Sequence, residues 1–284
     1  MSSSFPASLV VHPSGSLLKY EQLEIDQWDN DPRGIVWLWE PYRSGETYCM
    51  GIDPTVGRTG WSRDSRVEND RKTNNGAIEI ARKGRNGRPD VQVAEYASPV
   101  DPFELADIAN ILGRIYTNED EEEQCECIIE VQPGPGIGTM QRLIEHGYTN
   151  LWRWQYYAEF GAPQTKSPGW FATPRSNRDL WVKASRHINL KHAIVKSPFL
   201  SDELADCRWN EVKQYAENPN DERGHGDRVR AFMLDIWAIN RWSMEVESVE
   251  QTVTTEKEVD WQSTDMSIDD IHSQWDDVVS RMGI

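Results

Sequence analysis

With 38% hydrophobic residues, 13 tryptophans and nine tyrosines in 284 residues, the chain can build one good-sized core with extensions, or two small ones; it is not a disordered polymer. No apolar run reaches membrane-spanning length, and the N-terminus lacks a charged-then-apolar signal pattern, so no membrane partner is expected. The net charge of −17 at first argues against a nucleic-acid partner, but its distribution changes that: residues 245–284 hold eleven acids and two basic residues, whereas 58–88 hold nine basic residues and four acids.

Residues 1–45 read as an irregular N-terminal strap or linker with short strand-like pieces at 17–20 and 35–39, set between Asp, Asn, Pro and Gly. Residues 46–244 read as one α/β domain, and 245–284 as a flexible acidic tail. Within the domain, 48–53 is an apolar run that ends in Asp53 and is followed by Pro and Gly, so a buried strand delivers one carboxylate to a sheet edge. The long polar loop over 54–75 carries Arg58, Arg63, Arg66, Arg71 and Lys72. Residues 76–83 and 91–97 alternate as an antiparallel meander, and Pro102 opens a helix through residue 116.

The apolar run 125–131 carries Glu130 near its end; the glycine-rich turn 134–138 leads into a helix over 139–145, and a fifth strand is expected over 152–157. Helices follow over 178–190, capped by Ser176 or Asn177, and over 198–206, then a hairpin arm over 208–216. The last helix, 227–242, is apolar on two sides, so it lies between layers with its alanines close to the sheet and Asp227 in its first turn. The four cysteines show no metal-finger spacing and read as small hydrophobes of a reduced, intracellular protein.

Three acids at the ends of two strands and a helix are what a Mg²⁺ or Mn²⁺ phosphodiesterase site requires, because hard divalent ions take oxygen ligands. Each acid also has a purely structural reading: Asp53 as a turn former, Glu130 as a charge at the sheet rim, Asp227 as an acid favourable to a helix N-terminus. His225 and Lys166 are auxiliary candidates near a phosphate, or solvated side chains.

Gly51-Ile-Asp-Pro-Thr-Val-Gly57, Ile129-Glu-Val131 before glycines, Lys166-Ser-Pro-Gly-Trp170 with Thr173 and Arg178, and Gly224-His-Gly-Asp-Arg-Val229 occur in that order. Over residues 35–243 the chain resembles the nuclease domain of the large terminase subunit of tailed double-stranded DNA viruses. The resemblance implies a ribonuclease H-like fold, a five-stranded mixed sheet with its second strand antiparallel, flanked by helices. It also implies a metal-dependent endonuclease that cuts concatemeric viral DNA during packaging in the host cytoplasm, with one or two Mg²⁺ or Mn²⁺ ions. Asp53, Glu130 and Asp227 match the family's metal-binding, catalytic acids. Double-stranded DNA, a packaging ATPase, the small terminase and the portal are the partners implied.

The sequence departs from the family at Gly226, where a second aspartate is common, and at Gln132, where asparagine is. An extra family aspartate in the first turn has Asp64 or Asp70 as its only substitutes, in an enlarged loop. No Gly-x-x-x-x-Gly-Lys-Ser/Thr is present, so the motor half is expected on another segment or chain. Two other functions keep the same fold: a junction resolvase or strand transferase, and a module that grips DNA without cutting.

Overall fold

A computed structural model describes residues 5–11, 17–22, 36–55, 75–117, 123–131, 134–155, 166–212, 215–217 and 226–242. The chain divides into two units, Met1–Met244 and Glu245–Ile284, and every described residue belongs to the first. The expectations for the arginine-bearing loop and for the acidic tail lie outside the described residues.

Three strands come first: β1 (Phe5–Val11), β2 (Leu17–Gln22) and β3 (Val36–Leu38). β2 and β3 are the strand-like pieces expected there; β1 was not foreseen, and it pairs antiparallel with both. Next come β4 (Tyr48–Asp53), β5 (Gly76–Arg82) and β6 (Asp90–Ser98), which form the antiparallel meander. Helix α1 (Pro102–Ile115) then leads to β7 (Glu126–Ile129), which lies parallel beside β4. The order across the sheet is β2-β1-β3-β6-β5-β4-β7.

Beyond α2 (Pro135–Glu145) the fifth strand differs from expectation. The Trp152 amide donates to the Cys127 carbonyl at 2.8 Å, but the chain then leaves the sheet. There β8 (Arg153–Gln155) pairs with β9 (Lys166–Pro168) as a separate antiparallel ribbon. Trp170 returns to the vacated row, and its amide donates to the Ile129 carbonyl at 2.6 Å. Two bridges, Leu151 to Cys127 and Trp170 to Glu130, both parallel, thus replace one continuous strand. Gly169 makes the return possible: its φ is +85°, and a Cβ there would stand 2.2 Å from Val131 Cγ2. With β6, β5, β4 and β7, this row completes a five-row mixed sheet flanked by helices, as expected, which β1–β3 widen at the far edge.

Helix α3 (Pro174–Asn189) begins ahead of its expected start because Thr173, not Ser176 or Asn177, is its cap. Thr173 Oγ1 accepts from the Ser176 amide and Ser176 Oγ accepts from the Thr173 amide, a reciprocal box with Ser where Glu or Gln is usual. After it come β10 (Ala193–Ile194), parallel to the start of β6, and α4 (Pro198–Asp206). The hairpin of β11 (Arg208–Asn210) and β12 (Tyr215–Glu217) precedes α5 (Asp227–Ile239).

The pleat sorts β4 into two faces: Met50 and Ile52 point one way, Cys49, Gly51 and Asp53 the other, toward α5. α5 lies directly on β4, since a Cβ at Gly51 would stand 2.0 Å from the Ala231 carbonyl oxygen. This is the close approach expected of the alanine stripe. On its other side Trp237 meets Trp170 edge-on, ring centroids 4.9 Å apart, and both are buried.

Candidate active site

Register brings the first two acids together. Ile52 and Ile129 are partners on parallel strands, and the Glu130 amide donates to the Ile52 carbonyl at 3.0 Å. Asp53 and Glu130 are the next residues on each strand, so their side chains leave the carboxyl ends of β4 and β7 side by side, on the α5 face. The third acid reaches the same edge by a different route. Asp53 pairs with Ala77 of β5, and two residues earlier the Asn75 amide donates to Asp227 Oδ2 at 2.9 Å. The first residue of α5 is thereby tied to the strand beside Asp53.

Glu130 is 3% exposed; Asp53 and Asp227 are half-buried. Burial, and then the Glu130 and Asp227 carboxylates, push the Asp53 acid well above its ordinary range, while the Arg230 guanidinium opposes them. Arg230 sits one turn beyond Asp227; its Nε donates to Glu130 Oε2, and its Nη2 donates to Asn177 Oδ1 of α3 at 2.6 Å. One guanidinium thus pairs with Glu130 and opposes the crowding of Asp53.

The acidic character extends across the sheet. Its α5 face also presents Glu79 and Glu95, which stand opposite one another, and Glu126. α5 and the residues just after it answer with cations: Arg228 Nε donates to Glu95 at 3.1 Å and Arg241 to Glu126 at 2.8 Å. Glu203 of α4 caps α5 from outside: it accepts from the Arg228 amide at 3.2 Å and from Arg228 Nη1 at 2.6 Å, where Gly226 has no side chain to do so. Gln92 bridges Glu79 and Glu95 through its amide nitrogen, at 2.7 and 3.2 Å. Burial and the Glu95 charge raise the Glu79 acid well above its ordinary range.

As the side chains stand, no three His, Cys, Asp or Glu residues among the described residues are grouped closely enough to hold a metal ion. Two of the three candidate acids are instead turned onto N–H donors, Glu130 onto Arg230 and Asp227 onto Asn75. The donor set nonetheless fits a hard divalent cation: carboxylates only, from three separate elements, where burial and then neighbouring carboxylates raise Asp53.

Of the other residues singled out from sequence, Arg58, Arg63, Arg66, Asp70, Arg71, Lys72 and His225 lie outside the described residues. Lys166 opens β9, which runs back toward the Glu130 row through Trp170. Sequence reading missed Arg230, Asn177, Glu203 and Asn75. Only Arg230 had an available signal, its place one helical turn from Asp227 on a helix already assigned to the site.

No family model matches the sequence, and no curated protein is similar to it at a significant level. Among solved structures the chain is similar to the large terminase nuclease from thermophilic phage G20c, at 12% identity and a TM-score of 0.48, over 73% of this chain and 90% of that one. It is likewise similar to the same nuclease with bound magnesium, at 13% identity and a TM-score of 0.48, over 72% of this chain and 88% of that one.

Proposed function

We propose that this chain is a divalent-metal-dependent DNA endonuclease, and that it cuts viral DNA during genome packaging. The observation that carries the nuclease reading is the register of β4 against β7, which sets Asp53 beside Glu130 at the edge where Asp227 begins α5. The packaging context rests on the motif resemblance over residues 35–243.

Asp53, Glu130 and Asp227 would hold Mg²⁺ or Mn²⁺, which in such sites activates water and stabilises charge on the transferring phosphoryl group. The chain's own contribution is positioning. Paired parallel strands fix the spacing of the first two carboxylates, and the Asn75 amide fixes the third. Gly51 lets α5 lie close enough for that contact. Arg58, Arg63, Arg66, Arg71 and Lys72 follow Asp53 in the sequence, and in this reading they neutralise the phosphates flanking the cut.

The test is nicking of supercoiled plasmid by the full chain with Mn²⁺, with Mg²⁺ and with EDTA. Nicking with either ion and none in EDTA is expected. DNA binding with no cutting under any condition would replace this reading with a grip module, and preferential cutting of branched DNA would replace it with a junction resolvase.

A further inference from the structure

The sheet face under α5 is lined with carboxylates, and each arginine that meets them holds a different acid. Arg228 bridges Glu95 and Glu203, and Arg241 meets Glu126 at the opposite end of β7. Arg230 alone of the three is paired with one of the three site acids, Glu130.

Its geometry is that of a seated group. Glu130 is 3% exposed and the Arg230 side chain only partly exposed, so the pair is shielded from water and from salt. The guanidinium is held at two of its three nitrogens, by Glu130 through Nε and by Asn177 Oδ1 through Nη2 at 2.6 Å. Asn177 stands in the first turn of α3, whose start is set by the Thr173–Ser176 box, so the second anchor is itself fixed. A carboxylate oxygen already accepting a charge-assisted hydrogen bond is a poorer ligand for an incoming cation, because the two positive charges compete for one anion.

We propose that Arg230 is a resident counter-ion of the site: it occupies Glu130 in the metal-free protein, a divalent cation must displace it, and its strength thereby sets the metal affinity. This deepens the proposed function and rests on it. The gain to the protein is a folded metal-free state, since an unpaired buried Glu130 beside Asp53 and Asp227 would otherwise be costly. When the cation takes Glu130, the freed fork requires another anion, and a phosphodiester is the one the proposed reaction supplies.

The experiment is calorimetric titration of Mn²⁺ into the full chain and into Arg230→Gln, in the absence of DNA, with Arg230→Lys and Asn177→Ala as graded variants. Apparent affinity falls in proportion to the population in which the competitor is seated. Arg230→Gln should therefore bind Mn²⁺ about tenfold more tightly than the parent, with Asn177→Ala between them. Arg230→Lys keeps the charge but not the fork, and should stay nearer the parent. If Arg230→Gln is destabilised, Mn²⁺ should raise its melting temperature more than it raises the parent's, which reads the same coupling. Equal or weaker Mn²⁺ binding by Arg230→Gln, with a normal gain in the parent, overturns this inference and leaves the nuclease reading standing. No Mn²⁺ binding by either protein overturns both.

Discussion

The two ends of the sheet treat their aspartates in opposite ways. At one end Asp53 has carboxylates for neighbours and is pushed up. At the other, Asp90 opens β6 at 2% exposure and is surrounded by donors. It accepts from the Gly84 amide at 2.8 Å, Asn240 Nδ2 at 2.9 Å and His187 Nε2 at 3.0 Å, with Lys83 Nζ 3.1 Å away. Burial alone would raise Asp90, but these hydrogen bonds and the Lys83 charge outweigh it and bring the acid down to about 2. Helix α5 touches both places, with Asp227 at its start and Asn240 at its C-cap, ~20 Å apart at 1.5 Å per residue. A carboxylate saturated with donors is a structural knot; one crowded by like charges is, in the proposed function, where a cation binds. The same residue type does both jobs, and the neighbours decide.

The largest expected effect breaks the Asp53 end. Asp53→Asn, Glu130→Gln and Asp227→Asn should each lower Mn²⁺-dependent plasmid nicking by ~10³-fold or more, and any two together should cost little beyond one, because ligands of one ion act as a unit. Full nicking by Asp53→Asn would show that the edge is not the reacting centre.

The Asp90 end should respond in stability instead. Asp90→Ala leaves Lys83, His187 and Asn240 without their shared acceptor and should cost ~3–5 kcal/mol by urea denaturation. Asp53→Asn, in contrast, removes like-charge repulsion and should leave the urea midpoint of the metal-free protein unchanged or higher. If the two substitutions destabilise equally, the contrast between the ends fails.

Between the ends, Gly51→Ala probes the contact on which the site depends. The added Cβ would stand 2.0 Å from a backbone oxygen of α5, so helix or strand must shift. A loss of ~1–3 kcal/mol is expected by urea denaturation, and nicking should fall further than stability does, because Asp227 rides on the displaced helix. Parent-like nicking by a folded Gly51→Ala protein would separate the site from the helix contact.

The smallest effect sharpens the comparison through pH. Asp90, lowered from 3.8 to about 2, stabilises the fold above its unfolded value, and that contribution is lost as pH falls through about 2. Asp53 is raised, so its contribution is present below its unfolded value and is lost as pH rises through its folded one. In EDTA the parent's melting temperature should thus decline by a few degrees as pH rises above the ordinary aspartate range, and Asp53→Asn should remove part of that decline. Mn²⁺ should remove it as well, and an unaltered profile in the variant would mean that Asp53 is not the group responsible.

Much of this was legible in the residues themselves. The run from Tyr48 to Asp53, the alternation of β5 and β6, and the two-sided apolar pattern of α5 are local signals, governed by periodicities of 2 and 3.6 that need no partner to be read. Those periods also named Asp53, Glu130 and Asp227 as acids at element ends. They could not say that the fifth row would be built from two separated pieces, at Leu151 and at Trp170, because an alternating segment specifies a strand and not its neighbour. Nor could they show that Thr173 rather than Ser176 caps α3, since both residues suit the role and only the reciprocal bonds distinguish them.

The sequence by itself determined the elements, the acids at their ends and the small residues that allow close packing, because these follow from side-chain chemistry and local spacing. Only the tertiary structure decided which charges meet. Arg230 lies 100 residues from Glu130 and Asn75 lies 152 from Asp227, and no local rule couples such positions. Their pairing is set by strand register and by how closely α5 lies on Gly51, and the electrostatics of the site follow from that geometry.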